Sequence, residues 1–82
     1  MIFLIEYNRT EGQIVTFKTF KDFERHDAET ARLDLELDLN RRRIEHEVVL
    51  LEATSETALR RTHRRYFEDA RQIAESAGTD HK

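Results

Sequence analysis

Eighty-two residues with 17 acidic and 14 basic side chains, a formal net charge of -3 and 38% hydrophobic residues describe one charged domain with an economical core. A chain this short buries only about 60 to 65% of the surface its unfolded form exposes. Cysteine is absent, which excludes a disulfide framework, a thiolate nucleophile and a Cys-based zinc site, and makes a reducing cytoplasm the expected compartment.

The apolar start, Met1 through Ile5, lacks a basic segment and meets Glu6 too early for a signal peptide. It reads as the first strand, residues 2–7. No run approaches the ~20 apolar residues of a membrane span. Phe3, Ile5 and Tyr7 point one way and Ile2 and Leu4 the other, so this strand is apolar on both faces. Residues 14–20 read as a second strand, rich in β-branched and aromatic types. The polar segment 8–12 between them, with Gly12 free to take positive φ, makes a hairpin the economical connection. Val15 and Phe17 are expected to share a face opposite Thr16 and Lys18, as on an edge strand with one wetter side.

Residues 22–26 have no clean period, and Asp22 or Asp27 is a candidate helix cap. Residues 28–43 carry a conflict. The run from Arg32 to Leu39 alternates strictly, as a strand does, but its Leu, Glu, Ala and Arg are helix formers and no β-branched residue lies between Thr30 and Ile44. A helix is the expectation. It would carry two apolar stripes, Ala28, Ala31, Leu35 and Leu39 against its own sheet, and Leu33, Leu37 and Ile44 on roughly the opposite side. Acids near its start and Arg41, Arg42 and Arg43 at its end suit the helix dipole.

Residues 47–53, Glu-Val-Val-Leu-Leu-Glu-Ala, form a short apolar run with adjacent β-branched residues, the pattern of a strand buried on both faces. Thr54 and Ser55 then offer a hydroxyl cap, and a periodic segment runs to about Ser76. Leu59, Tyr66, Ala70, Ile73 and Ala77 form its apolar face, with Thr62 and His63 at the margins and Phe67 extending it. Glu56–Arg60, Arg64–Glu68, Arg65–Asp69 and Arg71–Glu75 have i,i+4 spacing. Gly78 is a stop, and residues 78–82 a loose tail to the single domain 1–77. The fold class is α+β, in the order ββαβα, with a three-stranded sheet of spatial order 2-1-3 and two helices. Both helices on one face would leave the other face's leucines and valines in water, so a homodimer is expected to complete it.

No motif with a chemical function outweighs its structural explanation. Arg60, Arg61, Arg64 and Arg65, with Arg41 to Arg43 nearby, can offer bidentate forks to phosphate. The net acidic chain and their i,i+4 acids favour a solvated or subunit-bridging face instead. His26, His46, His63 and His81 have no i,i+4 pairing, and His46-Glu47 does not continue into a zinc-binding His-Glu-x-x-His. Glu6 and Glu52 lie near the ends of neighbouring strands and could approach as an acid and base pair, but antiparallel strands would separate them, and solvated strand ends are the expectation. Gly12 and Gly78 make no phosphate loop, and Ser55 and Ser76 are cap and helix-end residues. The order ββαβα occurs in small nucleases as well as in binding modules, but the nucleases' paired tyrosine and glycine motifs are missing. The expectation is therefore a non-catalytic cytoplasmic interaction or regulatory module, without cofactor, metal or membrane partner. Its protein partner is unspecified and its self-contact is at Leu33, Leu37 and Ile44. The rival is a nucleic-acid binder using the arginine face; a third reading, a hydrolase or metal enzyme, requires a pocket that joins His46 or His63 to carboxylates.

Overall fold

The computed structural model describes residues 1–68. Strand β1 (Ile2–Asn8) and strand β2 (Gln13–Phe20) form an antiparallel hairpin. Asn8 makes the turn: its side-chain Oδ1 accepts from the backbone N–H of Thr10 and Glu11, its carbonyl accepts from Gly12, and Gly12 takes φ 67°. Only glycine enters that region without a Cβ penalty. A 3-10 turn (Asp22–Glu24) leads into helix α1 (Arg25–Arg41), followed by strand β3 (Glu47–Glu52) and helix α2 (Glu56–Thr62). A second 3-10 turn (Arg64–Tyr66) follows. The sheet order is β2-β1-β3 with both pairings antiparallel, as the two-faced character of β1 requires of a central strand.

The covering of the sheet differs from expectation. Phe3, Ile5 and Tyr7 pack with Leu59 and Tyr66 from the α2 side, and Ile14, Phe17, Val49, Leu51 and Phe67 close around them. On the other face, Leu4 and Val48 border α1 through Ala31, Leu35 and Leu39. One chain thus covers both faces, so covering the second face does not call for a second copy. The Ala53–Thr54–Ser55 turn carries the chain across the end of the sheet, and Ser55 caps α2 by accepting from the Ala58 N–H at 3.1 Å.

Several local details depart from the sequence expectation. In β2 the register shifts so that Glu6 faces Thr16 while Tyr7 faces Ile14. Val15 is the extra, exposed residue of this bulge, and Ile14 instead of Val15 joins Phe17 on the core side. Helix α1 starts three residues early, at Arg25, and neither Asp22 nor Asp27 caps it. Glu24 instead accepts the Lys21 N–H at 2.7 Å, and Asp22 pairs with the Met1 ammonium. The second helix ends at Thr62, not near Ser76, because His63 leaves helical geometry (φ -127°, ψ 51°) and turns Tyr66 down onto Tyr7. Asp69, Ala70, Arg71, Ile73, Glu75, Ser76, Ala77, Gly78 and the tail 78–82 lie outside the described residues, as does His81.

Helix α1 closes with a glycine-free Schellman motif. The Ile44 N–H donates to the Leu39 carbonyl (2.9 Å) and the Arg43 N–H to Asn40 (3.1 Å), which forces Arg43 to φ 58°. A residue with a Cβ pays about 1 kcal/mol there. Arg43→Gly is expected to raise the unfolding free energy by about 0.5 to 1 kcal/mol in urea titration. An unchanged or lower midpoint would contradict the left-handed cap.

Candidate functional site

Four groups of side chains have the makings of a site. The first is the outer face of α1. Leu33 and Leu37 are 53% and 56% exposed, while Ala28 and Leu39, on the opposite side, are buried. Ile44 is half-buried beside Leu39, as the residue after a Schellman cap commonly is. Of the three apolar residues assigned to a contact surface, the structure therefore places two together in solvent and turns the third back toward the helix end.

The second is the arginine face. Arg60 is held by Glu56 (Nε to Oε2 2.9 Å) and lies 4.5 Å over the Phe67 ring. Arg64 reaches Glu68 at 3.5 Å, and Arg65 donates to Glu47 and stacks 4.3 Å over Tyr66. At the end of α1, Arg41 and Arg42 both pair with Asp38; the Arg41 hydrogen bond holds that carboxyl below the ordinary aspartate range. Arg61 has no acidic partner among the described residues. Most of these forks are engaged at the surface by carboxylates and rings of their own chain instead of forming a shared phosphate cradle. Arg60, Phe67, Tyr66, Phe17 and Ile14 border an open groove of about 410 Å³.

The third group ties the Arg64–Tyr66 turn to the start of β3. The Tyr66 hydroxyl donates to Glu47 Oε2 at 2.5 Å, and Arg65 donates to both Glu47 oxygens at 2.8 and 3.1 Å. The Tyr66 hydrogen bond, with Arg65 behind it and burial opposing, holds the Glu47 carboxyl below the ordinary glutamate range. Burial first, and then Glu47, push the Tyr66 hydroxyl up. A folded-state carboxyl that titrates low adds stability above the ordinary glutamate pKa, and that stability is lost as pH falls through the lowered value. Glu47→Gln is therefore expected to cost about 1 to 2 kcal/mol at pH 7, with the gap to the parent closing below the ordinary glutamate range of about pH 4. A gap constant from pH 7 to pH 3 would show that the charge on Glu47 is not what Arg65 and Tyr66 hold.

The fourth group corrects the expectation that Glu6 is a solvated strand end. Glu6, in the middle of β1, is 4% exposed. Its carboxyl accepts from the Thr16 hydroxyl at 2.7 Å and meets His46 Nδ1 at 2.6 Å. His46 also borders a cleft of about 220 Å³ with Glu36, Leu39, Asn40, Ile44 and Val48. The strand register separates Glu6, opposite Val48, from Glu52, opposite Ile2, so these acids form no pair. His63 stacks on Tyr66 and meets the Thr62 hydroxyl at 2.9 Å. Among the described residues no three His, Asp or Glu side chains are placed to hold a metal ion. No helix of the described residues is long and apolar enough to cross a membrane.

The signal for Glu6 was present in the sequence. A charged residue in a strand apolar on both faces shares its face with Ile2 and Leu4, and once a helix covers that face the carboxyl is buried and must find partners. Its partner His46 is 40 residues away and becomes a neighbour only once the β1–β3 register is set. No family model, curated protein or solved structure matches this chain.

Proposed function

We propose that this chain is a small, non-catalytic, cytoplasmic protein-interaction or regulatory module that acts as a homodimer. The observation that carries the proposal is the pair Leu33 and Leu37, one helical turn apart and more than half exposed, on a helix whose other side already completes the core. Neither leucine contributes to closing the fold, so their apolar area is available to another protein surface. The arginine geometry weighs in the same direction. Guanidinium groups already engaged by Glu47, Glu56, Glu68 and Asp38 brace the chain's own surface, and a nucleic-acid interface would have to displace those contacts to neutralise phosphates. The buried Glu6–His46 pair serves as a polar anchor between β1 and the segment before β3, which needs no substrate to explain it.

Sedimentation velocity at low micromolar concentration tests the proposal. A dimer that dissociates reversibly on dilution is expected. A folded chain that remains monomeric from low to high micromolar concentration would overturn it.

A further inference from the structure

We propose that the outer edge of β3 pairs antiparallel with β3 of a second copy, about a two-fold axis at Leu50, giving one six-stranded sheet. This inference rests on the homodimer reading and moves its self-contact from Leu33 and Leu37 to the β3 edge, leaving those two leucines exposed for another protein surface. The backbone register fixes which groups are available. Ala53 N–H donates to the Met1 carbonyl at 3.1 Å and the Met1 ammonium donates back to Ala53 at 3.0 Å. Hydrogen-bonded pairs therefore fall at Leu51, Val49 and Glu47, while the N–H and C=O of Val48, Leu50 and Glu52 point away from β1. Beyond them the described residues hold no further strand.

The two sheet edges are not alike. Strand β2 carries the Val15 bulge and an exposed Lys18, the devices that blunt an edge. Strand β3, Glu-Val-Val-Leu-Leu-Glu, has no bulge, lysine, proline or glycine. Paired about Leu50, each Val49 faces Leu51 of the partner subunit and each Glu52 faces Val48 of the partner subunit. No carboxylate then opposes another.

Helix α1 supplies an independent argument for a second copy as the occupant. It packs over β1 and β3, so two copies joined at β3 place their α1 helices side by side. The strand spacing of ~4.8 Å puts the helix axes roughly 10 Å apart, a normal packing distance. The flank of α1 toward β3 is marked by Arg25, which pairs with Glu52, and by Glu36, which borders the cleft with His46 and Val48. Glu29 and Arg32 lie between them on the same flank by i,i+3 and i,i+4 spacing. Because α1 runs from Glu52 back toward Val48, the axis through Leu50 meets the helix near its Glu29–Arg32 turn. Around that axis Arg25 faces Glu36 of the partner subunit and Glu29 faces Arg32 of the partner subunit. Within its own chain Arg25 pairs with Glu52 and Arg32 with Glu36 at 3.8 Å, so the contacts across the axis extend these pairs into a network. The charge sequence is self-complementary at the position that the strand register demands.

Two measurements on the full chain test this. Glu29→Arg and Arg32→Glu, each alone, set like charges across the axis twice per dimer and are expected to weaken dimerisation at least about tenfold. The double variant restores opposite charges and is expected to return within about threefold of the parent, with circular dichroism confirming that all three fold. In amide exchange, Val48, Leu50 and Glu52 are expected to be protected in the dimer and to lose that protection on dilution, while Val49 and Leu51 stay protected throughout. A monomer at every concentration removes the homodimer reading and this inference together. A stable dimer with unprotected Val48, Leu50 and Glu52 amides and indifferent to the charge reversals removes the β3 edge alone, leaving Leu33 and Leu37 as the contact.

Discussion

His46→Ala is expected to lower the unfolding free energy by about 3 kcal/mol, because it strips the Glu6 carboxyl of one of its two partners while leaving it buried. Glu6 is 4% exposed on the central strand, on the sheet face that it shares with Leu4 and that α1 covers. The interaction itself contributes less than the penalty of orphaning one member. A cycle separates the two. Glu6→Leu alone leaves the Thr16 hydroxyl and the imidazole short of an acceptor, and the double variant with His46→Leu removes both polar groups from the pair. The double change is expected to cost about 2 kcal/mol less than the two single changes added together. Additive effects within about 0.5 kcal/mol would mean that the two side chains are neighbours without coupling.

Leu59→Ala is expected to be of comparable severity, about 3 kcal/mol, for a different reason. Leu59 is the fully buried side chain of α2, set among Phe3, Ile5, Tyr7 and Tyr66. A seven-residue helix has little stability of its own, so this contact holds α2 on the sheet. Loss of transfer free energy plus the cavity left between aromatic rings puts the change in the usual range of about 2 to 5 kcal/mol for a buried leucine. For a domain this size, that corresponds to a melting temperature roughly 15 °C lower. Leu33→Ala, measured at a concentration where the chain is monomeric, is the control and should stay within about 0.5 kcal/mol. A mild Leu59 variant, or an equally damaging Leu33 variant, would reverse the assignment of inner and outer leucines.

That assignment shows how much the sequence reveals. The strict alternation of Leu33, Leu35, Leu37 and Leu39 imitates a strand, yet residues two apart on a helix sit about 200° around the axis from each other. A helix built on this pattern has to send alternate leucines to opposite sides, and the structure shows Leu39 in and Leu33 and Leu37 out. The strands and their order were equally accessible, because β1 is apolar at both odd and even positions and an edge would waste that. What escaped was set by geometry at a distance. The face taken by α2 depends on the three-residue turn after β3, which carries no directional signal. The helix break at His63 is stabilised by Tyr66 and Arg65 reaching Glu47, a contact across 18 or 19 positions. The shift at Val15 follows from the pairing of Glu6 with Thr16 on one side and of Tyr7 with Ile14 on the other, which no local propensity encodes.

The extra residue in β2 bears on stoichiometry as well as shape. A sheet with two receptive margins can add molecules at each end without limit, as fibres do. Here one margin is kinked and the other is short and straight, so any joining of sheets along strand margins uses up the receptive side of both participants and terminates as a closed pair.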